Sequence, residues 1–508
     1  MKRFIVFLLS LSLILVSCSL PQPKVSPTST PSSDIFNTPW DDRSLFKTGL
    51  VASEQSVLNE LKDASVYHLE FNIADDLYHI TGTEEVRYTN NENVALDEVH
   101  LRLFPNILGG EMTISNLQVD GQTVTPKYEL QNSLLIVPFA KSLKPKQGTI
   151  LHMDFAVTVP QSVDLNYGVL AYFDDVLALA HSYPMICVYD DEGWNAEIPP
   201  QSGDVTYADA SFYIVKVTAP KGLTLVTTGQ KIGSGEDDQA RPEFDQRVQT
   251  LSIASGPARD FYLVASPKYE EQSQTFGETT VHSYAPKESH QGAHWALDVA
   301  SRAIKDYSAR YAPFPYMEFD IVSTPTLALG IEYPGMIAIT SRIYDVNQNL
   351  NGTPATVYME ATVAHEVGHQ WFYNLVGDDQ LDDPWLDESL AQFATLQYYK
   401  DQYGPNGARG FQDFLEGQWA SVDRAKIPIG LPVAKYSDQE YSAIVYGRGP
   451  LFFVALRDEM GTEAFDTFMK DYTQTLTWGI ATPEILQSLA EKHCGCDLQK
   501  IFDEWVYP

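Results

Sequence analysis

The hydrophobic pattern of this chain changes its period once, and that change limits the fold more than any other feature. From about Val66 the period is two: Tyr67, Leu69, Phe71 and Ile73 alternate with His68, Glu70 and Asn72, and Val99, Leu101 and Leu103 alternate with Glu98, His100 and Arg102. A strand sends successive side chains to opposite faces, so this alternation is that of sheets with one buried side. Further β-like runs follow, among them SFYIVKVTAP (211–220) and LTLVTTG (223–229), divided by Gly, Pro and Asn turns. In the second half Trp295, Ala296, Val299, Ala300, Ala303, Ile304 and Tyr307 recur at helical spacing. A Pro-flanked strand in 313–325 interrupts that pattern, and helices are expected over about 354–376, 386–403, 409–420, 446–460, 463–473 and 483–493. The fold class is therefore α+β and multidomain, with an all-β domain over 46–258 and a mainly helical domain with a small sheet over 259–508.

With 508 residues, 44% of them apolar, the chain can bury several cores. Lys and Arg number 34 against 67 for Asp and Glu, a formal charge of −33. This balance excludes nucleic acid and anionic lipid surfaces as natural partners. At the N-terminus Lys2 and Arg3 precede an apolar run, Phe4 to Val16, too short to span a bilayer and suited to a secretory signal. It ends in Leu15-Val16-Ser17-Cys18, which resembles the lipobox of bacterial lipoproteins. The resemblance implies that 1–17 is a signal peptide, that Cys18 is lipidated, and that the chain is a membrane-anchored lipoprotein of the cell envelope, outside the cytoplasm. Residues 18–45, rich in Pro, Ser and Thr, read as a flexible tether. Cys187, Cys494 and Cys496 read as thiols without a bridge, because the last two lie so close in sequence.

The chemistry is concentrated in TVAHEVGHQWFYNLVGDDQLDDPWLDESLAQFA (362–394). His365 and His369 stand four apart in a helical context, so both imidazoles leave one face and reach a single ion. Glu366 lies beside them, angled away from ligation. A catalytic zinc takes three protein ligands and keeps one position open. The third is expected from a different element, and Glu388, opening the next helix, supplies it.

H-E-x-x-H followed after 18 residues by Glu, with HQWF and WLDE flanking, resembles the aminopeptidase N family of gluzincin metallopeptidases. The resemblance runs from about 66 to 508. It implies a β-saddle N-terminal domain, a thermolysin-like catalytic domain, and one zinc ion per chain. Many members carry a further helical C-terminal domain, and this chain stops soon after the catalytic domain is expected to end. In such a site zinc lowers the pKa of water from 15.7 towards about 7, and Glu366 is suited to take the proton. Tyr446 in VYGRGP (445–450) matches the family's Tyr-x-Lys-Gly segment, whose Tyr stabilises the oxyanion, with Arg448 replacing Lys. Tyr441, five residues earlier, is its rival. LALGIEYPGM (327–336) resembles the family's Gly-Ala-Met-Glu-Asn segment and puts Glu332 in the position that binds the substrate's α-ammonium. Leu329, Gly330 and Ile331 stand for Gly-Ala-Met, and Tyr333 for Asn.

Trp371, Phe372 and Trp385 read as packing for the ligand helices, and Asp383 as either a carboxylate orienting a ligand or a surface residue. The acidic runs 377–383 and 189–193 read as solvated loops. The expected function is a zinc aminopeptidase acting on peptides. The alternatives are a zinc endopeptidase without N-terminal selection, and a non-catalytic binding protein of the same fold.

Overall fold

A computed structural model describes residues 35–237 and 247–508. The expected signal peptide (1–17), Cys18 and the tether as far as residue 34 lie outside the described residues. Ile35–Asn37 is a single 3-10 turn, and Thr38–Pro508 forms one compact unit.

Period-two segments become strands of three sheets. The largest is eight-stranded, in the order 230–237, 248–258, 211–220, 66–73, 79–89, 148–158, 111–119 and 122–123. Its pairs run antiparallel except 66–73 with 211–220, where Val66 stands opposite Phe212. A second sheet joins 185–186, 96–102, 134–143 and 127–129, and a third joins 224–227, 263–266, 176–179 and 170–173. Leu69, Phe71 and Ile73 meet Val99, Leu101, Leu135 and Leu177 in their shared core.

Two domain limits differ from expectation. Leu263–Ser266 pairs with both Thr224–Thr227 and Val176–Leu179, so the β-layer continues past 258. Nor is the tether free as far as 45. Trp40 stacks on His68 at 4.0 Å, and Arg43 donates to the carbonyls of Trp40 and Lys62 while lying over the Phe212 ring. Phe46 is buried and Leu50 bridges to Tyr316. A Trp, an Arg and a Phe within seven residues give the segment apolar surface to bury, which the Pro/Ser/Thr composition before it lacks.

The second half opens with a five-stranded sheet, in the order 269–276, 279–286, 318–324, 336–340 and 330–333. Against it pack α1 (His290–Arg310) and α2 (Ala355–Gly368). Next comes α3 (Glu388–Ala420), followed by helices Asp438–Ala443, Gly449–Met460, Thr462–Thr475, Pro483–Cys494 and Gln499–Trp505. The α3 span covers both expected helices, 386–403 and 409–420, because Gly404 (φ 67°) and Pro405 kink it between them. The expected 354–376 helix ends early, with His369 as its C-cap. Among the described residues no helix is long and apolar enough to cross a membrane.

Cys494 and Cys496 form a disulfide, contrary to expectation. Gly495 is left-handed (φ 62°) and folds the chain back, leaving the two Cα atoms 5.2 Å apart, inside the bridging range. Cys187 is a buried free thiol.

Candidate active site

Close backbone approach brings the ligand helices together. A Cβ on Gly368 of α2 would meet Ala391 of α3 at 3.2 Å, so the two helices touch where the histidines face Glu388. From α1, the Tyr307 hydroxyl donates to the Ala364 carbonyl at 3.0 Å and braces α2 from behind. Trp371 donates to the Ala312 carbonyl, and Trp385 packs on Phe452 and Phe453, so these aromatics are packing residues as expected. At the start of α3 the Glu388 amide donates to the Asp387 side chain at 2.5 Å and to the Pro384 carbonyl at 3.2 Å.

The three expected ligands converge. His365 Nε2 lies 3.1 Å from Glu388 Oε2, His369 Nε2 lies 3.4 Å from the same oxygen, and the two Nε2 atoms are 3.2 Å apart. These separations match the edges, about 3.3 Å, of a tetrahedron built on zinc bonds of about 2.0–2.1 Å. His369 Nδ1 donates to the Phe372 carbonyl at 3.0 Å, which fixes the ring with Nε2 turned towards Glu388. That backbone oxygen, and not Asp383, is the group that orients a ligand. The following residue, Tyr373, has φ 123°, an uncommon conformation for a side-chain-bearing residue and of the kind that collects at functional sites.

Around the imidazoles stands a ring of carboxylates. Glu366 and Glu332 are buried and line the same cleft as His365 and Glu388, a cavity of about 1130 Å³. Glu366 fits because residue 330 is glycine: a Cβ there would lie 2.3 Å from Glu366 Oε1. Burial, and then repulsion from Glu332, push the Glu366 carboxyl well up. Burial also raises Glu332, partly offset by His369. On His369 burial opposes the charge, but Glu332 and Glu388 outweigh it and raise the imidazole well above its ordinary range. Burial lowers His365. Burial would raise Glu388, yet hydrogen bonds from both histidines hold it far below the usual carboxylate range. The donor set of two imidazoles and one ionised carboxylate, set in an anionic pocket, fits Zn2+.

Gln380 ties this ring together. Its Nε2 donates to Glu332 Oε1 (3.2 Å) and Asp387 Oδ2 (2.7 Å), and its Oε1 accepts from Thr206 Oγ1 (3.1 Å). The 377–383 run is therefore not a solvated loop throughout, since Asp378 and Gln380 are buried beneath the cleft. Asp204, on a β-domain loop, also lines the cleft; its enclosure, and then Glu332 and Glu388, push its carboxyl well up. The sequence reading did not single out Gln380, Asp387 or Asp204. Asp387 stood inside the WLDE segment and Gln380 inside the acidic run, but Asp204 carries no local signal and reaches the site only through the fold.

Tyr446 sits in a π-helical turn, Ile444–Arg448, of the kind that often marks functional positions. Its hydroxyl donates to Glu388 Oε1, and its ring lies 5.9 Å from His365. Its rival Tyr441 does not line the cleft and packs against the Tyr446 ring at 5.7 Å. Arg448 turns the other way, donating to the carbonyls of Ile427, Glu504 and Trp505, so this residue braces the C-terminal helix.

Residues 295–505 match the peptidase family M1 domain. The chain is 26% identical to aminopeptidase M1-B of Oryza sativa over 298 residues, covering 56% of this chain and 34% of the relative. It is 24% identical to aminopeptidase N of Lactobacillus helveticus over 426 residues, covering 78% and 46%. A probable aminopeptidase 1 of Sulfurisphaera tokodaii is 23% identical over 450 residues, covering 84% and 51%. The chain thus spans about a third to a half of the length of these relatives. In fold it resembles the M1 zinc metallopeptidase of Deinococcus radiodurans (TM-score 0.61, 19% identity, 91% of this chain and 95% of that one). A mutant of that protein bound to a Tyr-Ser-Ala substrate gives a TM-score of 0.62 at 19% identity, covering 92% and 96%. Residues 295–505 thus match a peptidase family M1 domain, and the chain as a whole is similar to aminopeptidases and, in fold, to an M1 zinc metallopeptidase.

Proposed function

We propose that this chain is a zinc aminopeptidase that hydrolyses the N-terminal residue of peptides outside the cytoplasm. One observation carries the reading: His365 and Glu388, grouped with the buried His369 as a ligand triad, share their cleft with two further carboxylates of separate origin, Glu366 on α2 and Glu332 on the edge strand. The names of the relatives, aminopeptidases from a plant, a bacterium and an archaeon, point the same way.

Zinc held by the triad would supply Lewis-acid polarisation of the scissile carbonyl and of the attacking water. Glu366 is the residue placed to accept the water's proton and return it to the leaving amine. Tyr446 offers a hydroxyl where the carbonyl oxygen gains charge. Its bond to Glu388 is the contact it would exchange for substrate. Glu332, with Asp204 and Asp387 nearby, makes a negative end that binds the substrate's α-ammonium and leaves the first peptide bond at the triad. The extracytoplasmic setting and the Cys18 anchor rest on residues 1–18 alone.

The test is a panel of free and N-acetylated peptides assayed with and without chelator. The proposal expects cleavage of free peptides only, lost on chelation and restored by zinc. Equal cleavage of the acetylated set would indicate an endopeptidase; no cleavage of either set by zinc-loaded protein would indicate a binding protein.

A further inference from the structure

A second group of metal-type ligands lies apart from the active site, on the five-stranded sheet. Strands 279–286 and 318–324 pair in parallel with His282 opposite Asp320, and Glu318 stands two residues before Asp320 on the same face. One ligand atom from each of the three lies within 4.8 Å of the other two. His282 Nδ1 bonds to Glu271 Oε1 at 2.8 Å, and its Nε2 lies 3.9 Å from Glu318 Oε1. A carboxylate on one imidazole nitrogen fixes the tautomer and frees the other nitrogen as a ligand, an arrangement recurrent at metal sites.

Independent signs of a ligand come from the buried side. Asp320 is 3% exposed and its Oδ1 has no hydrogen-bond partner. A cavity of about 20 Å³, enough for one water-sized particle, is lined by Glu318 and Asp320 together with Gln230 and Gly256 of the β-domain. Gln230 Oε1 is likewise buried without a partner. Asp320 and Gln230 both line this cavity, which His282 does not reach, and a buried oxygen left without a partner is costly.

We propose that His282, Glu318 and Asp320 form a second metal site, for a divalent transition ion such as Zn2+ or Mn2+, at the seam between the β-domain and the catalytic sheet. One imidazole with two carboxylates suits these ions better than Ca2+ or Mg2+, which take oxygen ligands. Glu271 positions the imidazole. Because the cavity wall comes from both domains, the bound ion stiffens the seam, and its role is structural.

The experiment counts metal in chelator-stripped protein reloaded with Zn2+ or Mn2+ and desalted. The unaltered chain should hold one equivalent more than Asp320→Asn, whatever the total, and its melting temperature should rise with that equivalent while the variant's does not. Glu271→Gln, at an exposed position that tolerates change, should weaken this equivalent by about 10–100-fold. Equal metal content in the unaltered chain and Asp320→Asn would overturn the proposal. So would an unchanged affinity in Glu271→Gln together with no melting shift on reloading. A failure of the active-site reading alone would lower both totals by one and leave the difference in place.

Discussion

In the proposed reaction the proton passes through Glu366, and the surroundings of that residue show what one atom can decide. Glu366→Gln keeps the three ligands, so zinc content should stay normal while turnover falls by about 10²–10⁴-fold, checked by metal analysis and peptide assay on one preparation. The space it occupies exists only because residue 330 lacks a side chain. Gly330→Ala should displace the carboxylate and lower kcat about 10²-fold with little change in zinc content; an unchanged kcat would show that Glu366 acts from another position. Tyr446→Phe should lower kcat by about 10²–10³-fold with zinc retained. At this scale the sequence was legible where spacing on one helix dictates geometry, as for His365, Glu366 and His369. It was illegible where distant segments converge, as for Asp204 and Gln380, whose partners lie on other elements.

Elements hold these residues in place through their ends and contacts. The π turn aims Tyr446 at the cleft and Arg448 at the C-terminal helix, two directions that plain α-helical spacing did not foretell. Glycines in and just after it permit the fit: a Cβ on Gly447 would meet the Trp419 amide nitrogen at 2.9 Å, and one on Gly449 the Ser389 side chain. Most helix spans were readable from periodicity, because an amphipathic face needs only local sequence. The limits of α2 and of the Gly404 kink depended on capping and φ. The loop before α3 has a pH signature. Burial, and then Asp379, Glu484 and Asp382, push the Asp383 carboxyl up to about 7. An unfolded Asp titrates near 3.9, so the folded chain binds the extra proton between about pH 4 and 7, and stability falls as pH rises through that window. Asp383→Asn should therefore raise the melting temperature at pH 8 and leave it nearly unchanged at pH 4. An equal effect at both values would contradict this.

Across the whole molecule, the β-domain and the catalytic domain are fastened beside the cleft by a buried arginine. Arg259, 2% exposed, donates to the carbonyls of Ala208, Asn374, Leu375 and Gly479, and Gly377 leaves room for its guanidinium. Arg259→Lys cannot span that fan of acceptors and should cost about 2–4 kcal/mol in urea unfolding. The switch of periodicity revealed the change from a β-rich region to a helical one, but the return of 263–266 to the β-layer and the docking of 38–50 did not show, since both depend on pairing far along the chain. The central claim is that one zinc is gripped by α2 and the first residue of α3. Anomalous diffraction at the zinc edge, on crystals of zinc-loaded protein, tests it directly. The account predicts a peak about 2.0–2.2 Å from His365 Nε2, His369 Nε2 and a Glu388 carboxylate oxygen; a map with no peak among those three atoms would contradict it.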